Sequence, residues 1–190
     1  MNLPNKLTVS RFFLTIGFLI AIFTPVRGSP TIALVLFLTA SLTDFLDGYL
    51  ARRDKLITNF GTLMDPLADK ILTCSAFIAF VGLDQMPAWM AVVIVARELA
   101  ITGLRLLAAA KQVVLAAERW GKDKTTSQIV AIVSVLILLS YPDWGGWAQP
   151  VFQPWVPIFT QLAIWVSVAL TFISGLLYLW RNRHIYLHDL

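Results

Sequence analysis

The chain has 190 residues, of which 58% are hydrophobic and 14% charged, and its mean hydropathy is +0.75. Soluble domains are roughly half apolar and about a quarter charged, so this composition excludes disorder, a soluble enzyme and a nucleic-acid binder of the usual kind. At roughly 20 residues per membrane span, the length fits about six crossings in one domain covering 1–190.

Taken in chain order, residues 1–7 place Leu3, Pro4 and Leu7 beside Asn5 and Lys6, which predicts a short interfacial segment before the first span. Apolar runs suited to membrane helices follow at 8–26, 30–51, 61–83, 87–109, 125–141 and 157–180. The predicted fold class is thus an all-α integral membrane protein with six transmembrane helices. The first run reads as a signal anchor, since no small-residue cleavage site precedes a soluble domain. Basic residues alternate with the connections. Lys6 and Arg11 lie at the start, Arg52, Arg53 and Lys55 in the second connection, Lys111, Arg119, Lys122 and Lys124 in the fourth, and Arg181 and Arg183 at the end. By the positive-inside rule both termini and these connections are cytoplasmic. The net charge of +4 is then an orientation signal, and no nucleic-acid partner is expected. The fifth connection, from Pro142 to Pro157, carries Trp144, Trp147 and Trp155 and reads as an interfacial aromatic belt. The single cysteine, Cys74, has no partner for an intrachain disulfide.

Four aspartates break the apolar pattern. Asp44 and Asp47 are three residues apart, with Gly48 and Arg52 continuing the stripe of Asp44, and Asp65 and Asp69 are four apart on the next run. A carboxylate at bilayer depth costs roughly 2.5–3.5 kcal/mol on insertion scales. Arg52 and Lys70 cannot neutralise four of them; divalent cations can. Oxygen-only ligands suit Mg²⁺, Mn²⁺ or Ca²⁺, whereas zinc favours His and Cys. The two histidines, His184 and His188, stand in the C-terminal tail with no third ligand evident and read as solvated. Mg²⁺ commonly completes its shell with substrate phosphates, which points to phosphate chemistry. Gly48 and Gly61 leave space for a ligand against a helix backbone, or pack helices through small residues alongside Ala51 and Ala68.

The stretch reads Asp44-x2-Asp47-Gly48-x2-Ala51-Arg52-x8-Gly61-x3-Asp65-x3-Asp69. It resembles the full signature of the CDP-alcohol phosphotransferase family, integral membrane enzymes with six transmembrane helices that transfer a substituted phosphate from a CDP-linked donor to an alcohol. The resemblance implies that Asp44, Asp47, Asp65 and Asp69 hold two metal ions, Mg²⁺ or Mn²⁺, against the donor diphosphate. Gly48, Ala51, Arg52 and Gly61 would line the nucleotide cleft, and Asp69 would be the general base toward the acceptor hydroxyl. Further likeness lies in Pro4-Asn5-Lys6-Leu7-Thr8-x2-Arg11, in Ala96-Arg97-Glu98 with Arg105, and in Gly121-Lys122-x-Lys124-Thr125-Thr126. These resemble bacterial members of the family that use CDP-diacylglycerol and glycerol 3-phosphate, which makes these two the expected substrates, membrane lipids the surroundings and a homodimer the expected assembly.

A phosphate-bearing acceptor needs a cationic pocket near the cytoplasmic face. Arg97, Arg105, Lys122 and Lys124 are the candidates, the two arginines sharing a helical face inside an apolar span. Arg97 pairing with Glu98, and loop lysines that set topology or touch lipid headgroups, are the alternatives. Asn5, Thr8 and Arg11 either cap the first helix or reach the nucleotide. Inositol phosphate, serine or phosphatidylglycerol is the alternative acceptor within the family. A cation transporter is the rival from another class, opposed by the absence of an inverted repeat and by the clustering of the acids between two spans. The opening has no transit-like leader, from which a bacterial plasma membrane is expected.

Overall fold

The computed structural model describes the backbone of residues 3–54, 59–112 and 120–187, with side chains in these stretches except at 3–6, 44–54, 59–63, 65–66, 120–122 and 186–187. The long helices are α1 (Leu3–Phe23), α2 (Ser29–Asp54), α3 (Asn59–Gly82), α4 (Ala88–Ala110) and α5 (Trp120–Ser140). A 3₁₀ turn (Tyr141–Asp143) and the short α6 (Ala148–Phe152) lead into α7 (Val156–Arg181), and α8 (His184–Leu187) follows. No strand occurs among the described residues. Each predicted apolar run coincides with one long helix. Such runs are helical because in hydrocarbon every backbone N–H must find its partner within its own segment. Punctuation is local: Pro87 caps α4 in extended backbone, Pro157 stands in the first turn of α7, and Gly28 turns the chain into α2 at φ +82°.

Two sequence expectations change. The interfacial segment expected at 1–7 is not separate, because α1 runs unbroken from Leu3 to Phe23. Pro4 permits this: in a first turn its missing N–H would have had no helical partner anyway. The Trp-rich connection is also more than a belt. Phe152 of α6 sits among Tyr141, Trp144, Trp147 and Trp155 at ring distances of 6.1, 5.4, 6.2 and 6.1 Å. Trp144 Nε1 donates to Thr31 Oγ1 at 2.8 Å, and Gly28 N to Asp143 Oδ2 at 2.8 Å, which ties this cap to the start of α2. In the tail, His184 is exposed, but Ile185 is buried against α4 and its carbonyl accepts from Lys111 Nζ at 2.8 Å.

The long helices pack in the order α1, α2, α5, α7, α4, α3 and back to α1, closing a ring, with α3 touching α5 inside it. Phe18, Phe37, Phe77, Phe80, Ile132 and Leu136 fill one part of the interior. Elsewhere the polarity is inverted. Phe13, Ile20, Val92, Leu99, Leu106, Leu176 and Trp180 point outward, while Thr8, Arg11, Thr15, Glu98, Lys124, Gln128, Ser167 and Thr171 are buried. An apolar solvent selects that arrangement, because outward apolar groups then lose nothing and polar groups must pair inside. The chain is a membrane protein on this ground. Asp123–Asp143 and Val156–Arg181 are each long and apolar enough to cross a bilayer, and the apolar stretches Leu7–Phe23 and Ser29–Thr43 are shorter.

Replacing Phe152 by Ala removes the ring on which four others converge. The expected result is a loss of about 2 kcal/mol, since this ring is only partly buried, read as a lower unfolding midpoint in detergent micelles. An unchanged midpoint would mean that the aromatic cap holds without it.

Candidate active site

The signature residues fall on two helices joined by one short connection. Asp44, Asp47, Gly48, Ala51 and Arg52 belong to the last three turns of α2, and Gly61, Asp65 and Asp69 to the first three of α3. α2 and α3 pack on each other, and α1 packs on both. Both stretches are continuous helix, so residues three and four apart in them share a helix face. The side chains of Asn5, Asp44, Asp47, Ala51, Arg52, Asp65 and Lys122, and the surroundings of Gly48 and Gly61, lie outside the described residues. Asp69 is described: it is half-buried, and its carbonyl accepts from Thr73 Oγ1 at 3.0 Å. The donor set fits a hard divalent cation, because it is all carboxylate and the imidazole of His184 is exposed on α8, beyond the far end of α7.

On α1, Thr8 and Arg11 are fully buried. The helix already begins at Leu3, so Asn5, Thr8 and Arg11 lie inside it and none is its N-cap. The capping alternative falls.

The cationic candidates separate. Lys124, on the first turns of α5, is 5% exposed and ion-pairs with Glu98 Oε1, and Glu98 is likewise 5% exposed. Arg97 Nη1 lies 3.2 Å from the same Oε1. Thr102, one turn further along α4, donates from Oγ1 to the Glu98 carbonyl at 2.7 Å, and that Oγ1 accepts from Lys70 Nζ of α3. One buried carboxylate and its turn of helix therefore connect α3, α4 and α5. The stem of Arg97 passes over Gly175 of α7, where an added Cβ would lie 2.8 Å from Arg97 Cγ. Asp69 lies within electrostatic range of both Lys70 and Lys124, so the candidate base and the cations occupy one neighbourhood.

Arg105 departs from expectation. It faces α7 as Arg97 does, with Nε donating to Tyr178 Oη at 3.4 Å and the guanidinium 5.8 Å from the ring centroid. It is exposed, however, and not buried as its place in an apolar run predicted. Near the end of α4 a long side chain reaches past the apolar layer, and an aromatic face holds it there. The Arg97–Glu98 pairing, offered from sequence as an alternative, is what the structure shows; sequence reasoning missed Glu98 as the hub beyond that pair, together with Lys70, Thr102 and Tyr178. Glu98 had a signal, an acid in the middle of an apolar helix. Thr102 and Tyr178 had none, because their roles exist only once α3, α4 and α7 meet.

A ring of helices with a buried ion-pair cluster, whose α2 and α3 carry four aspartates in their sequence, accords with an enzyme that works on phosphates inside a membrane. The sequence profile of the CDP-alcohol phosphatidyltransferase family matches residues 1–173, and the chain belongs to that family. Among its relatives is the CDP-diacylglycerol–glycerol-3-phosphate 3-phosphatidyltransferase of Bacillus subtilis (strain 168), 40% identical over 199 residues and covering 95% of each chain. Proteins of the same name occur in Mycoplasma pneumoniae, 42% identical over 74% of this chain and 70% of that one, and in Rickettsia felis, 33% identical over 93% of each.

The two helical glycines on either side of the α4–α7 contact give a paired test. Gly175→Ala must displace the Arg97 stem and should cost about 1–3 kcal/mol. Gly103→Ala meets nothing within 4 Å and should be neutral or stabilising by up to about 1 kcal/mol, because alanine is the better helix former. Thermal unfolding in detergent reads both; equal midpoints would remove the close approach at Gly175 as a constraint.

Proposed function

We propose that the chain transfers the phosphatidyl group of CDP-diacylglycerol to sn-glycerol 3-phosphate, giving phosphatidylglycerophosphate and CMP. The observation that carries this is full-length similarity to relatives named for that reaction, with every signature position of the family present in α2 and α3.

In this reading Asp44, Asp47, Asp65 and Asp69 would hold divalent cations, Mg²⁺ or Mn²⁺ and two in number, whose positive charge would compensate the donor's diphosphate and the departing oxygen. Gly48, Ala51 and Gly61 keep the α2–α3 cleft open for the cytidine diphosphate, and Arg52 pairs with phosphate oxygens in bidentate fashion. Asn5 and Thr8 of α1 would contribute polar contacts to the same nucleotide. Asp69 removes the proton from the acceptor hydroxyl. The acceptor oxygen then bonds to the phosphorus on the lipid side, the bond from that phosphorus to the bridging oxygen breaks, and CMP leaves. Arg97, Lys124, Lys122 and Arg105 supply positive charge for the acceptor's phosphate. Glycerol 3-phosphate is a small dianion, and a cluster of arginine and lysine on one side of the ring supports its choice over a neutral alcohol.

Six long helices of 21 to 26 residues, about 31–39 Å at 1.5 Å per residue, each match a bilayer. The proposal therefore includes six crossings of a bacterial plasma membrane, with both termini and the site cytoplasmic as the basic connections favour, and a homodimer.

Purified chain given labelled CDP-diacylglycerol and, separately, glycerol 3-phosphate, inositol phosphate, serine or phosphatidylglycerol should release CMP only with the first. Turnover confined to another acceptor would overturn the choice. Asp69→Asn should lower turnover by about 10²–10⁴-fold while donor binding persists, and near-normal turnover would take the base role away from Asp69.

A further inference from the structure

Glu98 has no part in the chemistry above, yet it is buried and pairs with two cations. Its Oε1 receives both Arg97 Nη1 and Lys124 Nζ, two of the cations assigned to the acceptor's phosphate. Its backbone carbonyl takes the Thr102 hydroxyl, which in turn takes Lys70. Backbone packing does not by itself bring Glu98 and Lys124 together. α4 packs on α3 and α7, but not extensively on α5 among the described residues, so side chains bridge the interior from α4 to Lys124. Without the carboxylate, Arg97, Lys124 and Lys70 would repel one another in a desolvated layer, and each would turn toward another partner or toward water.

We propose that Glu98 is a positioning residue for the acceptor. Its carboxylate holds Arg97 and Lys124 converged on one point inside the ring, and so prepares the place where an anionic acceptor's phosphate is received. This rests on the acceptor proposed above. The carboxylate does not touch the reacting atoms. It acts through the two cations, which share their donors between Oε1 and the incoming phosphate. Because one acid cannot saturate the hydrogen-bonding capacity of a guanidinium and an ammonium, donors remain for a second anion. Arg97 Nε is buried with no hydrogen-bond partner among the described residues, consistent with capacity in reserve.

The test uses the purified full chain in lipid–detergent micelles, with initial rates measured against glycerol 3-phosphate at saturating donor and against CDP-diacylglycerol at saturating acceptor. Wild-type turnover with glycerol 3-phosphate is the control, and its absence would defeat the acceptor reading independently of Glu98. Glu98→Gln should raise the KM for glycerol 3-phosphate about tenfold or more, with the KM for the donor changed less than about twofold. Glu98→Asp keeps the charge on a shorter stem and should restore most of the loss. The double variant Glu98→Gln, Lys124→Gln is read against Lys124→Gln alone: because Arg97 also loses its carboxylate, the double variant should raise the KM for the acceptor beyond that of the single lysine variant. This variant decides the matter if Glu98→Gln alone does not fold. A double variant whose acceptor KM does not exceed that of Lys124→Gln, a Glu98→Gln whose acceptor KM is unchanged, or equal changes toward both substrates would each make Glu98 a structural ion-pair partner only and overturn the proposal.

Discussion

The ion pair between Glu98 and Lys124, with Arg97 on the same oxygen, is the contact on which the interior of the bundle depends. A charge at bilayer depth costs a few kcal/mol by insertion scales unless a partner or water compensates it. Removing one member of a buried pair costs more than the pair contributes, because the other member is left uncompensated. Lys124 and Glu98 are both 5% exposed, so neither has water to fall back on. The pair fixes where α5 enters the ring relative to α4, and the Lys70–Thr102 contact fixes α3 against the same turn. Three helices that diverge in sequence by tens of residues thus meet around one carboxylate.

The same constraint explains the division of labour in the proposed site. Carboxylates concentrate on α2 and α3, where divalent cations and the donor's diphosphate would compensate them. Cations concentrate where α3, α4 and α5 meet, compensated by Glu98 and available to a phosphate. Asp69 stands one residue before Lys70 on α3 and within electrostatic range of Lys124. A base is useful there, because the acceptor hydroxyl must approach the donor phosphorus while its phosphate is held some distance away. The opposite end of the ring has a different task. The aromatic cluster about Phe152, tied to α2 through Thr31 and Asp143, closes the bundle without charge in its core, and the ring interior next to it is packed with phenylalanine.

Much was legible in the linear chain because membranes impose a simple rule on it. Each apolar run long enough to span had to become a helix, and each charge that interrupted one needed a reason. That reasoning located α1 to α5 and α7 and singled out Asp44, Asp47, Asp65 and Asp69 from spacing alone. It failed where the outcome depended on neighbours. Arg105 reads as buried from its run, but tertiary structure places it outside against Tyr178. Thr8 and Arg11 read as possible caps, but the helix starts earlier and buries them.

By itself, then, the amino-acid order determined that the chain is helical and membrane-bound, which side its basic connections favour, and that four aspartates interrupt its apolar runs at helical spacing. These are local properties, set by hydropathy and by the 3.6-residue period of a helix. Which cations share a partner was decided only in three dimensions. Glu98 and Lys124 are 26 residues apart, and Lys70 and Thr102 are 32 apart. No periodicity relates residues on different helices, so their pairing had to await the packing of the ring and the need of each buried charge for a counter-ion.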